Sequence, residues 1–138
     1  MTGGCLCGAV RYEADTQGGG GHCQCTDCRR VSGTGHSSHM IVPEAAFRMS
    51  GTLRYYDKAA DSGNIVSRGF CPTCGAPVLS RNAGYAGVVF VRPSSLDDPE
   101  AFKPAMVVYT SRGPSWDRID PALPAFATMP SADEMPDM

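Results

Sequence analysis

The seven cysteines are the residues of this sequence whose types and spacing could do chemistry. They fall into three groups: Cys5-Leu6-Cys7-Gly8, Cys23-Gln24-Cys25-Thr26-Asp27-Cys28 and Cys71-Pro72-Thr73-Cys74-Gly75. Thiolates at such short spacings are typical zinc ligands, four in a closed structural site and three protein ligands in a catalytic one. Seven divides into four plus three, so the sequence predicts one site of each kind.

The first predicted site combines the outer two cysteine groups. In Cys71-x-x-Cys74-Gly75 a tight turn points two sulfurs at one centre, because glycine accepts a positive φ while backbone N–H groups face the thiolates. We expect Cys5 and Cys7 to lie on an extended segment, whose two-residue period puts both side chains on one face. Four thiolates leave zinc no open position, so this site is predicted to stabilise the fold and to do no chemistry.

The second predicted site contains Cys23, Cys25 and Cys28. Three protein ligands and an exchangeable fourth position are what a catalytic zinc needs. Three other interpretations stay open: His22 could be a fourth ligand, two of the thiols could form a redox pair, or the trio could pair differently with the other cysteines. The chain geometry argues against His22, because neighbouring residues on an extended chain point to opposite faces.

The charge of a three-thiolate site indicates its chemistry. Three thiolates on Zn²⁺ leave a net negative charge, so the metal is a poor Lewis acid for water and hydrolysis is not its natural use. A soft thiolate ligand exchanges readily onto such a centre, where zinc lowers the pKa of the thiol and holds the sulfur ready to attack a carbonyl carbon. The residues alone therefore predict a small thiol activated on zinc.

Length, composition and charge exclude several classes of function. The 138 residues, 42% hydrophobic and 19% charged, suit one globular domain. Net charge is −2 and the longest basic run is Arg29-Arg30, so neither a nucleic-acid groove nor an anionic-membrane anchor is indicated. We find no apolar run of membrane-spanning length and no secretory signal, and expect a cytoplasmic protein with reduced thiols.

Short β-rich runs separated by turn signals occupy most of the chain. They predict strands at residues 9–13, 38–42, 53–56, 65–70, 77–79, 86–91 and 106–109. Brief helices are predicted at residues 27–32, 44–47 and 97–102. We therefore expect one mainly β, antiparallel domain over residues 1–127. The glycine run 18–21 is expected to be a flexible hairpin loop, and residues 128–138 a frayed tail.

The three cysteine motifs together resemble the glutathione-dependent formaldehyde-activating enzyme family, to which centromere protein V also belongs. The resemblance rests on Gly4-Cys5-Leu6-Cys7-Gly8-Ala9-Val10-Arg11-Tyr12, Cys23-Gln24-Cys25-Thr26-Asp27-Cys28-Arg29-Arg30 and Phe70-Cys71-Pro72-Thr73-Cys74-Gly75. Later segments agree in order: Ser32-Gly33, Gly51-Thr52-Leu53, Tyr109-Thr110-Ser111-Arg112 and Trp116. It covers roughly residues 3–127. One departure is Gln24, at a position where the family commonly has histidine.

The resemblance implies a β-tent fold, in which antiparallel sheets are pinned by zinc, and a carbon–sulfur lyase-type activity. The family is named for condensing formaldehyde with glutathione to S-(hydroxymethyl)glutathione. Carried over to this chain, it implies a structural zinc at Cys5, Cys7, Cys71 and Cys74. It likewise implies a catalytic zinc at Cys23, Cys25 and Cys28.

Glutathione carries two carboxylates and an ammonium, so a site for it should offer planar guanidinium groups, which can donate two parallel hydrogen bonds to a carboxylate. The candidates are Arg29, Arg30 and Arg112, each of which could equally be a solvated surface charge. Trp116 is either a core residue or a substrate wall. His36 and His39 follow the trio and are either structural or able to carry the proton that the thiol releases.

Two functions of different classes follow. The first is a two-zinc enzyme that adds glutathione or a similar thiol to formaldehyde or another small aldehyde. The second is a zinc-stapled binding module, in which both sites are structural and the surface engages a protein partner. The availability of the fourth position at the Cys23, Cys25 and Cys28 site separates them, because only an enzyme needs it exchangeable.

Overall fold

The computed structural model describes residues 1–16 and 18–138, and the fold over these residues is mainly β with two sheets and one short α-helix. The strands are β1 (Thr2–Gly4), β2 (Arg11–Ala14), β3 (Gly20–Cys23), β4 (Ser37–Pro43), β5 (Phe47–Ser50), β6 (Arg54–Ala59), β7 (Ile65–Phe70), β8 (Pro77–Asn82), β9 (Val88–Val91) and β10 (Met106–Val108). The helix α1 spans Thr26–Ser32. Short 3₁₀ turns lie at Glu44–Ala46, Pro93–Ser95, Pro99–Ala101, Thr110–Arg112 and Ala132–Glu134.

The chain forms two compact units, each assembled from two stretches of sequence. The first unit contains Met1–Gly18 and Met40–Phe102, and the second contains Gly19–His39 and Lys103–Met138. In the first unit, β2 pairs antiparallel with both β1 and β5. The later strands of this unit pair antiparallel in the order β4, β9, β8, β7 and β6.

The core of the first unit follows from alternation along its strands. In β2, Tyr12 and Ala14 are buried and the residues between them are exposed, as the two-residue period of a half-buried strand requires. The Tyr12 hydroxyl lies 2.7 Å from Ser95 Oγ, which satisfies its polar end. Gly3 lies opposite Tyr12, and a Cβ at this position would approach the Tyr12 hydroxyl to 2.3 Å, so the close pairing of β1 and β2 needs glycine.

An ion pair connects the start of this unit to residue 97. Arg11 donates to both carboxylate oxygens of Asp97, and the Thr2 hydroxyl donates to Asp97 Oδ2 at 2.6 Å. These partners lower the pKa of Asp97 to about 2, Arg11 contributing most. Because the folded carboxyl ionises below its usual pKa, its stabilising effect is complete above that usual value and disappears as pH falls to about 2.

We therefore expect Asp97→Asn to reduce the free energy of unfolding near neutral pH, with the difference from wild type closing as pH falls to about 2. Urea unfolding followed at stepped pH measures this. Asp57→Asn, which removes an exposed carboxylate of β6, is the matched control. A difference between Asp97→Asn and wild type that persists unchanged at acid pH would show that ionisation of Asp97 is not the cause.

The second unit is smaller and holds β3 and β10 side by side. These two strands pair in parallel, with Val108 opposite Cys23 and Met106 opposite Gly21. Their buried residues form a small core with the first turn of α1: Cys23, Cys28, Met106 and Val108. Tyr109, Phe126 and Met135 pack against it. Met135 follows the Ala132–Glu134 turn, so this part of the C-terminal segment has a packing partner; fraying of residues 128–138 stays a prediction.

One expectation about the strands was wrong. Gly20 and Gly21, expected in a flexible loop, are buried and begin β3. Glycine is needed there because a Cβ at Gly21 would lie 2.4 Å from the Met106 carbonyl oxygen of the neighbouring strand. The strand pairs of the first unit are antiparallel as expected, whereas β10 joins β3 in parallel.

The helices are as brief as predicted. The helix expected at residues 27–32 is α1, and those expected at 44–47 and 97–102 are the shorter 3₁₀ turns Glu44–Ala46 and Pro99–Ala101. Glycine at position 33 ends α1 with φ 75°, the left-handed conformation that glycine adopts readily at a helix C-terminus. No helix among the described residues has the length and apolar character to cross a membrane.

Candidate metal centres

The four cysteines of the outer groups meet in the first unit. Their sulfurs all lie within 4.8 Å of one another, with Cys5 Sγ 3.7 Å from Cys7 Sγ and Cys7 Sγ 3.8 Å from Cys71 Sγ. Two Zn–S bonds of about 2.3 Å at a tetrahedral angle hold sulfurs roughly 3.8 Å apart. The observed spacing therefore fits a tetrahedral metal ion of the size of zinc.

Two similar turns build this four-cysteine cluster. In the first, the Cys5 N–H donates to Val10 O at 3.0 Å, and in the second the Cys71 N–H donates to Ala76 O at 3.0 Å. Each turn carries a glycine at positive φ directly after its second cysteine, 83° at position 8 and 76° at position 75. A Cβ would meet no atom within 4 Å at either glycine, so the backbone conformation alone demands glycine.

This geometry corrects the expected position of the first cysteine pair. Strand β1 ends at Gly4, and Cys5 and Cys7 lie in the turn that follows it, with Leu6 between them 86% exposed. Their sulfurs converge because the chain turns, and not because two alternate strand residues share a face. Backbone N–H groups of the turn face the sulfurs. For example, the Val10 N–H donates to Cys5 Sγ at 3.2 Å.

The cluster is anchored in the core, and one of its thiols has a lowered pKa. Cys71 is fully buried among the core residues of the first unit, and Cys5 belongs to the same core. Hydrogen bonds from the backbone N–H of Ala76 and then of Cys7 lower the pKa of the Cys74 thiol to about 6. A thiol that ionises near neutral pH is a ready metal ligand, because metals bind the thiolate.

The remaining cysteines meet in the second unit, where the end of a strand continues into a helix. Cys23 is the last residue of β3, Cys25 is the N-cap of α1, and Cys28 lies in its first turn. Their three sulfurs lie within 4.8 Å of one another. The Cys28 N–H donates to Cys25 Sγ at 3.3 Å, so the capping sulfur is held in place by the helix that it begins.

The three thiols differ in burial and in acidity. Cys23 and Cys28 are buried, and Cys25 is half-buried. Hydrogen bonds from the side chains of Cys23 and Cys28 lower the pKa of Cys25, with a smaller contribution from backbone N–H groups. The same neighbouring thiols and burial raise the pKa of Cys23.

Two histidines lie beside this three-cysteine cluster. His39 Nε2 is 3.5 Å from Cys28 Sγ. His22 directs Nδ1 at Ser38 Oγ, 2.8 Å away, and burial, followed by the nearby His36, lowers its pKa. Within the described part of the chain, the group of mutually close metal-ligating atoms here contains only the three sulfurs, so the structure does not bring His22 into it as a fourth ligand.

A buried polar network flanks the cluster, and sequence reasoning missed one of its members. Gln24, between two of the cysteines, is 6% exposed and its Nε2 donates to Asp117 Oδ2 at 2.9 Å. The other side of the Asp117 carboxylate faces His36 Nδ1, at 3.0 Å. Asp117 is separated from Gln24 by 93 residues and belongs to no motif, so no signal in the sequence pointed to it.

The candidate substrate-binding residues all lie in the second unit. Arg29 and Arg30 are in the last turn of α1, directly after Cys28. Arg112 ends the Thr110–Arg112 turn, with its guanidinium carbon 5.7 Å from the centre of the Tyr109 ring. Trp116 is 64% exposed, so it is not a core residue, and a substrate-wall position for it stays a prediction.

Fold and site together define a small, mainly β protein with two cysteine clusters suited to metal ions. Residues 1–112 match the glutathione-dependent formaldehyde-activating enzyme family. Because this match spans most of the 138 residues, the chain belongs to that family.

A solved structure of a second protein shares the fold. It is the crystal structure of a Rhodobacter sphaeroides protein, a Northeast Structural Genomics target, with a TM-score of 0.60 and 19% sequence identity. The superposition covers 91% of this chain and 99% of the other. At this identity the likeness concerns the fold alone.

Proposed function

We propose that this protein adds a small thiol, glutathione or a similar compound, to formaldehyde or another small aldehyde at a zinc site formed by Cys23, Cys25 and Cys28. A second zinc, held by Cys5, Cys7, Cys71 and Cys74, would stabilise the fold. The observation that carries the proposal is the group of three converging sulfurs in a chain of this family. A site with three protein ligands leaves a coordination position for substrate.

The reaction requires a thiol to lose its proton before it attacks carbon. Cys23, Cys25 and Cys28 would hold the zinc, which would supply a soft Lewis acid and so lower the pKa of an incoming thiol. The thiol sulfur forms a bond to the aldehyde carbon, the carbonyl π pair moves to oxygen, and that oxygen takes a proton to become a hydroxyl. The net reaction joins one thiol and one aldehyde and releases nothing.

The residues around the cluster have two roles in this proposal. Cys23 and Cys28 are buried, so Cys25 and its surroundings form the side from which a thiol would approach. The Arg29 and Arg30 guanidinium groups follow on the helix that carries Cys28, and would bind the carboxylates of glutathione. Arg112 and Trp116 would contact the remainder of the substrate.

We also propose the cytoplasm as the compartment of the reaction. Clustered thiols persist reduced where glutathione and thioredoxin maintain them, and there glutathione is itself abundant as the free thiol. Neither nucleic acid nor a membrane has a place in this proposal, whose partners are a small thiol and a small aldehyde.

Calorimetric titration of the reduced, zinc-loaded protein with glutathione, in two buffers of different ionisation enthalpy, tests the proposal. We expect saturable binding with proton release, because the thiol ionises as it binds. S-methylglutathione, which has the same charges and no S–H group, is the matched ligand control and should bind more weakly without releasing a proton. Absence of glutathione binding would exclude it as the carrier and favour the zinc-stapled binding module.

A further inference from the structure

The Asp117 carboxylate forms the centre of a hydrogen-bonded network next to the three-cysteine cluster. It is 8% exposed. Its Oδ2 accepts a hydrogen bond from Gln24 Nε2 at 2.9 Å, and both of its oxygens lie 3.0 Å from His36 Nδ1. A buried carboxylate is stable only when its oxygens accept hydrogen bonds, and these two side chains supply them.

We propose that Asp117 is a positioning residue of this site, which fixes His36 so that its Nε2 takes the proton released by the incoming thiol. The inference rests on the proposed function and deepens it, because it names the group that receives the proton. Asp117 itself touches neither substrate nor metal in this proposal.

The tautomer of His36 follows from the chemistry of its partner. An ionised carboxylate only accepts hydrogen bonds, so the His36 Nδ1 that faces it must carry the hydrogen. In the neutral ring the other nitrogen, Nε2, is then the one able to accept a proton. An aspartate that holds a histidine in this way, in one tautomer and one orientation, is the arrangement by which hydrolytic triads prepare their base.

His36 is also connected to the metal-binding loop from two directions. Through Asp117 it is linked to Gln24, which lies between Cys23 and Cys25. Its ring also lies edge-on to that of His22, with the ring centres 4.7 Å apart, and His22 directly precedes Cys23. With its side chain 25% exposed, His36 can pass a proton on to water.

Two glycines leave the space that this network occupies. A Cβ at Gly35 would lie 2.2 Å from Asp117 Cγ, and a Cβ at Gly113 would lie 2.4 Å from Gln24 Oε1. Non-bonded carbon, nitrogen and oxygen atoms do not approach one another this closely, so any side chain at either position would displace the carboxylate or the amide. Gly35 and Gly113 therefore leave the room that the Asp117 carboxylate and the Gln24 amide occupy.

The network joins residues inside and outside the segment that matches the family, since Gln24 and His36 lie within residues 1–112. The family match ends at residue 112, and Asp117 lies beyond it. Gln24 lies between Cys23 and Cys25. Its amide donates one hydrogen bond to the carboxylate and leaves further lone pairs for His36.

Asp117→Asn tests the proposal, because an asparagine that accepts from Gln24 through oxygen presents its NH₂ group to His36. We expect long-range ¹⁵N–¹H spectra of the zinc-loaded protein at alkaline pH to show His36 protonated on Nδ1 in wild type and on Nε2 in Asp117→Asn. Removing a positioned base costs about 10²–10⁴-fold in rate, so kcat should fall by about 10²-fold or more while KM for the thiol changes little.

Two further variants control for structure. Asp120→Asn makes the same change at an exposed aspartate of the same segment and should retain the wild-type tautomer and kcat. His36→Ala should lose activity to the same extent and recover part of it in added imidazole, which an effect on folding alone would not do. Its readout also remains available if Asp117→Asn does not fold.

The outcomes separate this proposal from the function on which it rests. An unchanged His36 tautomer in Asp117→Asn, or a kcat near that of wild type in an active protein, overturns the positioning role and leaves the thiol reaction in place. A rate loss in His36→Ala that imidazole does not relieve overturns the proton-accepting role. A wild-type protein that binds neither glutathione nor another small thiol overturns the proposed function, and the role of His36 with it.

Discussion

Cys74→Ser is expected to destabilise the protein severely and to release the metal from the four-cysteine cluster. The substitution removes one of four ligands from a cluster whose partner Cys71 is fully buried in the core of the first unit. Zinc binding to a closed thiolate site is folding free energy, about 10–16 kcal/mol in zinc-finger peptides, and serine is a poor ligand for zinc. A loss of even about 4 kcal/mol lowers Tm by roughly 15 °C in a domain of this size.

Thermal unfolding and zinc content of the purified variant measure the effect. Thr73→Ala, at an exposed residue of the same turn, is the matched control and should retain both the metal and the wild-type Tm. We also expect Cys74→Ser to be poorly soluble, because loss of the cluster exposes the core that Cys5 and Cys71 help to form. A Tm within a few degrees of wild type would mean that this cluster does not hold the structural metal.

The sequence was most informative where the information is local. The division of the cysteines into four and three is confirmed. Neighbouring cysteines supply sulfurs to the same cluster, although the four-cysteine cluster also needs a contact between Cys7 and Cys71, 64 residues apart. The positive φ of Gly75 is confirmed as well. The conformation expected for Cys5 and Cys7 was wrong, since spacing alone does not distinguish a strand from a turn, and the turn here depends on a backbone hydrogen bond from Cys5 to Val10.

The features that could not be predicted from the sequence depend on contacts between residues far apart in the chain. Gly20 and Gly21 suggested a loop, yet they begin β3, which pairs with β10. Glycine is required at position 21 because Met106, more than eighty residues later, lies too close for a side chain. Asp117 reaches Gln24 over a similar distance. No local period or motif marks either contact, so both follow only from the packed structure.

The burial of Gln24 and the exposure of Trp116 reverse the usual preferences of these residue types. Glutamine is mostly exposed in proteins and tryptophan mostly buried, yet here Gln24 is 6% exposed and Trp116 is 64% exposed. A buried amide must be hydrogen-bonded, and its partner is Asp117, the residue next to the tryptophan. Departures of this kind are expected where function, rather than stability, determines the residue.

Cys25→Ser is expected to distinguish the roles of the two clusters. It should remove metal and thiol binding from the three-cysteine cluster without unfolding the protein. Cys25 is the N-cap of α1, where its sulfur accepts from the Cys28 N–H. Serine is among the best N-cap residues, so its hydroxyl can accept the same hydrogen bond and α1 should persist. The four-cysteine cluster shares no residue with this site and should keep its zinc.

Zinc content, Tm and glutathione calorimetry of Cys25→Ser measure these effects together. We expect about half of the wild-type zinc, a Tm much closer to wild type than that of Cys74→Ser, and no detectable glutathione binding. Cys25→Ala removes the cap as well as the ligand, and should cost about 1 kcal/mol more than serine. In wild type, a mild chelator should likewise take one zinc before the other and leave the fold intact. Loss of both metals together with the fold would mean that neither site is open. A Tm ranking opposite to the one expected would mean that the structural and exchangeable roles of the two clusters are the reverse of those proposed.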